Sequence, residues 1–370
     1  MALKANSQKD ELLHNAKNEF LGAGYSLSDE KISSSSFDFI AKKPGNSFPE
    51  RPIKIITRVL AELDLFKKQA SIELQLIAKL IKGKPLLIAQ FATGKKVEKA
   101  TLYRRHNVPA ISLQTLQMFL KEFSLSSNTF NITKYAQRGG IYVNLSKERF
   151  IERRKRLELD IQNLAGKIGI SRQSLYKYEK GLCSPKVDSY QRISKIMGDN
   201  LDHPLYFFTE TSKKIEAASF KDMCSPKSQL QKEVAGYLYE KDIEVLWFKS
   251  EPFDGISLSE SQDGADKRVI NPENTIITGV SSIENEREKN RIQLLNKLSH
   301  FLGKQAIWFV DAAPDKNTQN SKKAKFLTVL SISELERMGN EEFLRLLHIS
   351  KENKPANPSD LEKKSTSKGN

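Results

Sequence analysis

The chain has 370 residues, of which 38% are hydrophobic, and a formal net charge of +15 at pH 7. This length predicts two or three domains, and the positive charge favours a polyanionic partner. Two cysteines and five histidines are too few for a disulfide framework or a zinc quartet. No apolar run reaches the span of a bilayer. We therefore expect a soluble, cytoplasmic protein with no membrane contact, no cofactor and no metal.

The first region, residues 1–127, alternates helical and strand patterns. A helix to about residue 25 opens it, and strands follow at Phe37–Ala41 and Ile53–Val59. The later elements are a helix at Leu63–Ile81, a strand at Pro85–Ala89, an extended segment at Tyr103–Ile111 and a helix at Leu113–Phe123. This order predicts an α/β domain with a sheet flanked by helices.

Asp38, within Phe37–Ile40, gives this region its one catalytic candidate. The order of elements resembles the restriction-endonuclease-like fold of archaeal Holliday-junction resolvases. In that family an Asp on one strand and Glu-x-Lys on the next hold a divalent cation, and the Lys helps to activate water. Asp38 matches the family's Asp, so the resemblance implies a nuclease-like domain.

The strand after Asp38 departs from the family's Glu-x-Lys pattern. One register puts Lys54 at the Glu position and Ile56 at the Lys position. A shifted register makes Lys54 the lysine, with Pro52 in place of the carboxylate. Glu62 or Asp64 could substitute. One acidic ligand is missing in either register, so we expect the domain to be inactive.

Residues 128–145 connect this domain to the next. The segment from Arg138 to Asn144 contains Gly139 and Gly140 and predicts a turn and a strand. It is either a small wing or a structured linker.

The stretch from Phe150 to Met197, within a third segment of residues 146–208, predicts four short amphipathic helices. In the first helix, Ile151 and Leu157 form the apolar side. Asp160 and Ser171 stand where N-caps belong, ahead of the second and third helices.

Glycine and proline mark the ends of these helices. Gly169 is predicted to end the second helix and Gly181 the third, and the fourth helix is predicted to begin at Pro185. A helix, a short turn with Gly and a second helix form the helix-turn-helix signature. The string from Leu164 to Pro185 resembles the Cro/C1 repressor-type helix-turn-helix family. The family often has Gln where this chain has Ile161, with Gln162 next.

The resemblance implies that the third helix enters the major groove of double-stranded DNA. The polar residues on and around this helix have the side chains that read bases and bind phosphates. The predicted DNA-binding residues are Ser171, Arg172, Gln173, Ser174, Tyr176, Lys177, Lys180, Gln162, Arg153, Arg154 and Arg156.

Phe207 and Phe208 follow the fourth helix. In the Cro/C1-type family this region often builds the dimer contact, so the two rings serve either a dimer interface or the core of their own domain. A polar linker is predicted at residues 209–228.

Residues 229–349 repeat the first region. Phe253-Asp254-Gly-Ile matches Phe37-Asp38-Phe-Ile, and Thr275-Ile-Ile-Thr-Gly-Val matches Lys54-Ile-Ile-Thr-Arg-Val. Thr275 stands at the Glu position, so we expect a second inactive nuclease-like domain. Residues 350–370 are rich in Lys, Asn, Pro and Ser and predict a disordered tail.

The predicted fold class is α/β plus all-α, with two degenerate nuclease-like domains flanking a Cro/C1-type domain. The three-part order resembles archaeal helix-turn-helix transcriptional regulators. This resemblance implies a sequence-specific regulator, not an enzyme, that binds a pseudo-palindromic operator as a homodimer, with a protein partner at the nuclease-like domains. The alternatives are a metal-dependent endonuclease delivered by its helix-turn-helix, and an antitoxin or adaptor.

Overall fold

A computed structural model describes residues 2–28, 35–43, 53–122, 129–130, 132–208, 224–249, 253–259, 275–282, 286–311, 326–343 and 345–346. The chain divides into two compact units, Met1–Lys214 and Ile215–Asn370. The predicted tail and most of the predicted linker at 209–228 lie outside the described residues. None of the described helices is long and apolar enough to cross a membrane.

The first unit begins with an α/β domain, here called the N-terminal domain. Its elements are α1 (Ala2–Gly22), β1 (Ser26–Leu27), β2 (Phe39–Lys43), β3 (Ile53–Glu62), α2 (Lys68–Leu80), β4 (Lys84–Ala92), β5 (Lys95–Lys96), β6 (Thr101–Arg105), β7 (Val108–Ile111) and α3 (Leu113–Glu122). The predicted helix from Leu63 begins later, because Leu63–Leu65 form a separate 3-10 turn.

The helical part of the first unit follows directly. Its elements are β8 (Thr129–Phe130), β9 (Lys134–Gln137), β10 (Gly140–Val143), α4 (Lys147–Arg156), α5 (Ile161–Ile168), α6 (Arg172–Glu179), α7 (Val187–Met197) and β11 (Leu205–Tyr206). Pro185, where the fourth helix was predicted to begin, lies two residues before α7, because Lys186 is the N-cap of that helix.

One sheet runs through both parts of the first unit, in the order β1-β2-β3-β4-β7-β6-β9-β10, with β5 paired to β4. Strands β3, β4 and β7 are parallel neighbours, and β2 is antiparallel to β3. The parallel pair β6–β9 carries the sheet into the hairpin β9–β10. The segment that was expected to be a wing or a linker is therefore a strand hairpin attached to the N-terminal domain.

The chain also returns to the N-terminal domain after α7. Strand β11 pairs with β8, and Phe207 and Phe208 are buried in the same core as Phe20, Phe39 and Phe119. The Phe119 and Phe207 rings stack with their centroids 4.8 Å apart. Both side chains are buried within this unit, so the alternative that they form a dimer interface is wrong. The core that they join is that of the N-terminal domain.

The second unit has a smaller sheet. Its elements are α8 (Gln229–Tyr239), β12 (Ile243–Trp247), β13 (Gly255–Ser259), β14 (Thr275–Ser281), α9 (Glu286–Leu302), β15 (Ala306–Val310), β16 (Leu327–Ser331) and α10 (Ile332–Arg337). The sheet order is β12-β13-β14-β15-β16. Its strands alternate in direction up to β14 and are parallel from there on, the same directions as β1-β2-β3-β4-β7.

The strand registers of the two sheets also agree. Thr57 pairs with Phe39 and with Leu86 on its two sides. Thr278 pairs with Gly255 and Ile307 in the same way. Residues of the two units can therefore be compared position by position.

Candidate nucleic-acid interface

The caps and turn of the helix-turn-helix are built by polar side chains. Asp160 accepts a hydrogen bond from the Asn163 N–H at 2.8 Å, and Ser171 accepts one from the Ser174 N–H at 3.1 Å. Gly169 adopts the left-handed conformation with φ of 68°. A guanidinium donor of Arg192 closes the end of α5 by reaching the Gly169 carbonyl at 3.1 Å. These contacts fix the angle between α5 and α6.

The core beneath these helices includes Phe150, Leu164, Ile168, Leu175 and Ile193, all buried. The prediction that Leu157 faces this core is wrong, since its side chain is 43% exposed. Helix α4 begins at Lys147 and ends at Arg156, so Leu157 lies in the turn after the helix, and Phe150 takes the inward position.

Helix α6, here called the recognition helix, presents a polar face to solvent. Arg172, Gln173, Tyr176 and Lys177 are exposed on it, and Lys180 is exposed at its end. The Lys180 ammonium lies 5.7 Å from the centre of the Tyr176 ring. The face offers donors, acceptors and positive charge without rearrangement, as base and phosphate contacts require.

Three other predicted residues have partly different surroundings. The Ser171 hydroxyl caps α6 and lies 2.8 Å from the Ser174 hydroxyl, so these two serines brace the helix start. Gln162 is exposed in the first turn of α5, the end of a helix where phosphate is favoured.

Arg154 does not point outward as predicted. One guanidinium nitrogen donates to Glu179 of the recognition helix at 2.7 Å and another to the Leu159 carbonyl at 2.7 Å. Its side chain is only 16% exposed. Arg154 therefore positions the recognition helix and is not available as a phosphate contact.

Arg153 and Arg156 lie away from that ion pair. With Arg149, Asn200 and other residues they line a surface pocket of about 390 Å³. Arg156 also pairs with Glu152 at 2.6 Å. The two arginines keep positive charge at the surface, but on a side of α4 different from that of Arg154.

The hairpin β9–β10 packs beside the start of α7. The Tyr135 and Tyr142 rings stack across it with centroids 5.9 Å apart. The Val143 N–H donates to the Pro185 carbonyl at 2.9 Å, just before α7. Gly139 and Gly140 at the tip have φ of 99° and 141°, which side chains with a Cβ rarely adopt. Sheet, hairpin and helices therefore form a continuous structure.

Asp38 is surrounded by cations. Its Oδ1 atom accepts from the Lys9 ammonium at 2.9 Å and from the Arg58 guanidinium at 3.2 Å, and its Oδ2 accepts from the Val59 N–H at 2.7 Å. The Asp38 N–H donates to the Thr57 carbonyl at 2.8 Å. Sequence reasoning missed Lys9 and Arg58, which neutralise the carboxylate.

Both predicted registers for the family's Glu-x-Lys are wrong. The residues beside Asp38 on β3 are Thr57, Arg58 and Val59, whereas Lys54 pairs with Lys42 at the far end of the strands. Lys54 is therefore no remnant of a catalytic lysine. The matched strings Ile-Thr-Arg-Val and Ile-Thr-Gly-Val share Thr-x-Val at these positions, but only the strand pairing shows that these residues lie beside the aspartates.

The substitutes proposed for the missing carboxylate do not complete a metal site. Asp64 pairs with Arg105 at 3.3 Å and accepts from the Thr93 N–H at 2.6 Å. Among the described residues no group of three or more His, Cys, Asp or Glu side chains could hold a metal ion. The residues present around Asp38 do not fit the divalent cation that the nuclease fold implies.

Asp254 repeats the backbone contacts of Asp38. Its N–H donates to the Thr278 carbonyl at 2.9 Å, and its Oδ2 accepts from the Val280 N–H at 2.8 Å. Thr278 therefore lies beside it, and the prediction that placed Thr275 at the Glu position is wrong. Gln231 donates to Oδ1 at 3.0 Å and Arg291 to Oδ2 at 3.1 Å.

Comparison with known families separates the two parts of the first unit. Residues 9–124 match the PD-(D/E)XK superfamily domain, and residues 151–201 match a helix-turn-helix domain. The expected pairing of a nuclease-like domain with a helix-turn-helix domain is thereby confirmed.

Archaeal relatives extend over most of the chain. A protein of Methanocaldococcus jannaschii is 25% identical over 320 residues, which are 86% of this chain and 90% of the relative. Relatives from Methanococcoides burtonii and Pyrococcus furiosus are 25% and 24% identical, covering 82% and 70% of this chain and 86% and 75% of their own. All three are named "Putative HTH-type transcriptional regulatory protein", which confirms the resemblance to archaeal regulators. No solved structure matches the chain.

Proposed function

We propose that this protein is a sequence-specific DNA-binding transcriptional regulator that reads the major groove with the recognition helix. The observation that carries the proposal is the exposed polar face from Arg172 to Lys180 on a helix fixed by caps, core and the Arg154–Glu179 ion pair. The helix-turn-helix match and the names of the archaeal relatives support it. Thirteen basic and seven acidic residues between Lys147 and Leu201 favour a polyanion.

Within this proposal the predicted residues have two roles. Arg172, Gln173, Tyr176 and Lys177 contact base edges or nearby phosphates. Gln162, Lys180, Ser171 and Ser174 hold the phosphate backbone at the helix ends. Arg153 and Arg156 are outer phosphate contacts, whereas Arg154 acts only through the recognition helix. Arg138, exposed at the hairpin tip, gives the hairpin the role of a wing on the flanking DNA.

The N-terminal domain acts in this proposal as a binding scaffold and not as a nuclease. Its Asp38 carboxylate is neutralised by Lys9 and Arg58, and its neighbours Thr57 and Val59 supply no second carboxylate. We further propose that the second unit is a second degenerate copy of this domain. The two copies are surfaces for homodimer formation or for a protein partner, and the dimer would present two recognition helices to a pseudo-palindromic operator.

The test begins with enrichment of bound sites from genomic DNA, followed by titration of the best duplex. Arg172→Ala should weaken binding by about 1–3 kcal/mol and relax the preference at one base position. Lys195→Ala, on the exposed side of α7, is the control because it removes one charge from the same domain. An unchanged base preference for Arg172→Ala would show that the reading face is assigned wrongly.

Magnesium in the same titration tests the enzymatic alternative. We expect the duplex to remain intact with and without the metal. Nicked or cut DNA that disappears in Asp38→Ala would make the N-terminal domain a nuclease and overturn its role as a scaffold. Sedimentation at micromolar concentration tests the dimer, and a monomer under those conditions would contradict it.

A further inference from the structure

A surface pocket lies between helix α4 and the segment that follows α7. Its volume of about 390 Å³ falls within the range of about 300–1,000 Å³ that is usual for small-molecule sites. We call it the arginine pocket, and its lining residues are Arg149, Glu152, Arg153, Arg156, Asn200 and Leu201. All six come from α4 and the segment after α7, so the pocket is distinct from the recognition helix.

Helix geometry brings the three arginines of the pocket together. Arg149, Arg153 and Arg156 are separated by four and three positions, so their side chains leave α4 on the same face. The lining residues therefore carry three positive charges, whereas Glu152 supplies the one negative charge among them. A pocket with this balance of charge favours an anionic ligand.

Two of the three guanidinium groups are held in place by the protein. Arg149 donates to the Asn200 carbonyl at 3.3 Å and to the Asp202 carbonyl at 2.9 Å. Arg156 donates to the Glu152 carboxylate at 2.6 Å. Groups that are already oriented lose less conformational freedom when a ligand binds, which favours affinity.

Arg153 lies between these two and has different surroundings. Its side chain is half-buried, and its Nη1 atom lies 3.7 Å from the place that a Cβ of Gly198 would take, at the end of α7. Within the part of the chain that the structure describes, the Arg153 guanidinium forms no hydrogen bond and no ion pair.

The fold accounts for only part of this arrangement. The negative end of the α7 dipole favours one cation beside Gly198, but it does not require two further arginines on the same face of α4. A guanidinium group has five N–H donors in a planar fork, which matches two oxygen atoms of a phosphate group. Three such groups around one pocket are therefore suited to a phosphate ligand.

We propose that the arginine pocket binds the phosphate group of a small phosphorylated molecule, and that this ligand competes with DNA for Arg153 and Arg156. The binding itself stands on the pocket alone. The competition rests on the proposed function, in which these two arginines are outer phosphate contacts of DNA. The small molecule is then an effector that releases the regulator from its site.

The first measurement uses the full chain without DNA. Inorganic pyrophosphate is the probe, and isothermal titration calorimetry gives its affinity. Arg153→Gln should weaken binding about tenfold, because it removes charge-assisted hydrogen bonds to the phosphate. Arg153→Lys keeps the charge but not the fork, so it should recover only part of the loss. Arg156→Gln, at an exposed position, should also weaken binding and covers a folding failure of the Arg153 variants.

Two control variants distinguish the pocket from a general attraction of anions. Lys155→Gln removes one positive charge from an exposed position of α4 that does not line the pocket. Arg172→Ala removes a guanidinium group from the recognition helix. Both should bind pyrophosphate as the wild type does. A loss in either control that equals the loss in Arg153→Gln would overturn the proposal, and so would a wild type that does not bind pyrophosphate.

The second measurement adds a mixed-sequence duplex and distinguishes the two sources of phosphate. Pyrophosphate should weaken duplex binding by the wild type more than sodium chloride of equal ionic strength does, because salt alone already weakens such contacts. This additional effect should be absent in Arg153→Gln. Pyrophosphate that binds without weakening duplex binding would overturn the competition.

A weaker duplex affinity of Arg153→Gln, together with a wild type that does not bind pyrophosphate, would assign the pocket to DNA alone and overturn the small ligand. Failure of the proposed regulatory function is a separate result. It appears as absent base preference among the sites enriched from genomic DNA, whereas the affinity for pyrophosphate is measured without any DNA.

Discussion

Asp38 and Asp254 occupy the same place in two sheets of the same order, and different partners neutralise them. Each accepts one backbone N–H from the next strand, from Val59 at 2.7 Å and from Val280 at 2.8 Å. Each also donates its own N–H to a threonine carbonyl, of Thr57 and Thr278. These paired contacts attach the start of one strand to the next. The aspartates therefore have a structural role that does not require catalysis.

The surroundings show how the two positions diverged. Lys9 and Arg58 supply two cations to Asp38. At the position of Arg58 the second unit has Gly279, because a Cβ there would overlap the ring of Trp308. Its cation is Arg291 of α9, whose guanidinium lies 5.1 Å from the centre of that ring. The Trp308 ring therefore leaves no room for a side chain at position 279, and the cation that pairs with Asp254 comes from helix α9.

The largest expected effect is the removal of the first carboxylate. Asp38→Ala removes the carboxylate that pairs with the partly buried Lys9 and Arg58 and should lower the free energy of unfolding by about 4 kcal/mol. Asp254→Ala should cost about 2 kcal/mol, since Arg291 keeps its pairing with Glu288 at 2.8 Å. The difference follows from the number of cations left behind.

The chain allows both losses to be measured in one molecule. Its two tryptophans, Trp247 and Trp308, lie in the second unit, so their fluorescence follows the unfolding of that unit, while circular dichroism follows both. Asp38→Ala should shift the dichroism transition without shifting the fluorescence transition. Equal costs for the two variants, or a more stable Asp38→Ala, would contradict the structural role of the ion pairs.

Gly279 gives the next largest effect. Gly279→Ala should destabilise the second unit by about 2 kcal/mol, because the new methyl group overlaps the Trp308 ring. The first unit has Leu87 at the position of Trp308. The double variant Gly279→Ala with Trp308→Leu should therefore recover part of that loss. Chemical denaturation followed by circular dichroism measures this cycle, since Trp247 alone would remain as a fluorophore. Additive costs would show that the ring does not decide the residue at position 279.

The smallest effect concerns the pH dependence of Lys54. Its pKa is lowered by burial and by two neighbouring lysines, so the folded state disfavours the charged ammonium. The penalty is present at neutral pH and disappears as the pH rises toward the ordinary value of 10.5. Lys54→Thr should raise the free energy of unfolding by about 0.5 kcal/mol at pH 7.

Denaturation of Lys54→Thr and the wild type from pH 7 to pH 10 checks the sign. The advantage of the variant should decrease as the wild-type lysine loses its proton. An advantage that grows with pH would show that Lys54 is stabilised as a cation, in disagreement with the lowered pKa of its ammonium.

Periodicity and end signals predicted the helix-turn-helix well, because its contacts are local. Asp160, Gly169 and Ser171 act within three or four residues along the chain, so spacing alone identifies caps and turn. Leu157 was misplaced because α4 begins at Lys147, after its N-cap Ser146, and ends at Arg156, which leaves Leu157 in the turn that follows. Arg154 was misplaced because its partner Glu179 lies 25 residues away.

The sequence by itself determined the four helices around the helix-turn-helix, the polar face of the recognition helix and the likeness of Asp38 to Asp254. Only the tertiary structure decided the strand register that removes Lys54 from the catalytic position. It also decided the cations around each carboxylate and the return of Phe207 and Phe208 to the first core. The physical reason is that these contacts join distant segments, whose relative position depends on how whole strands and helices pack and not on the spacing of neighbouring residues.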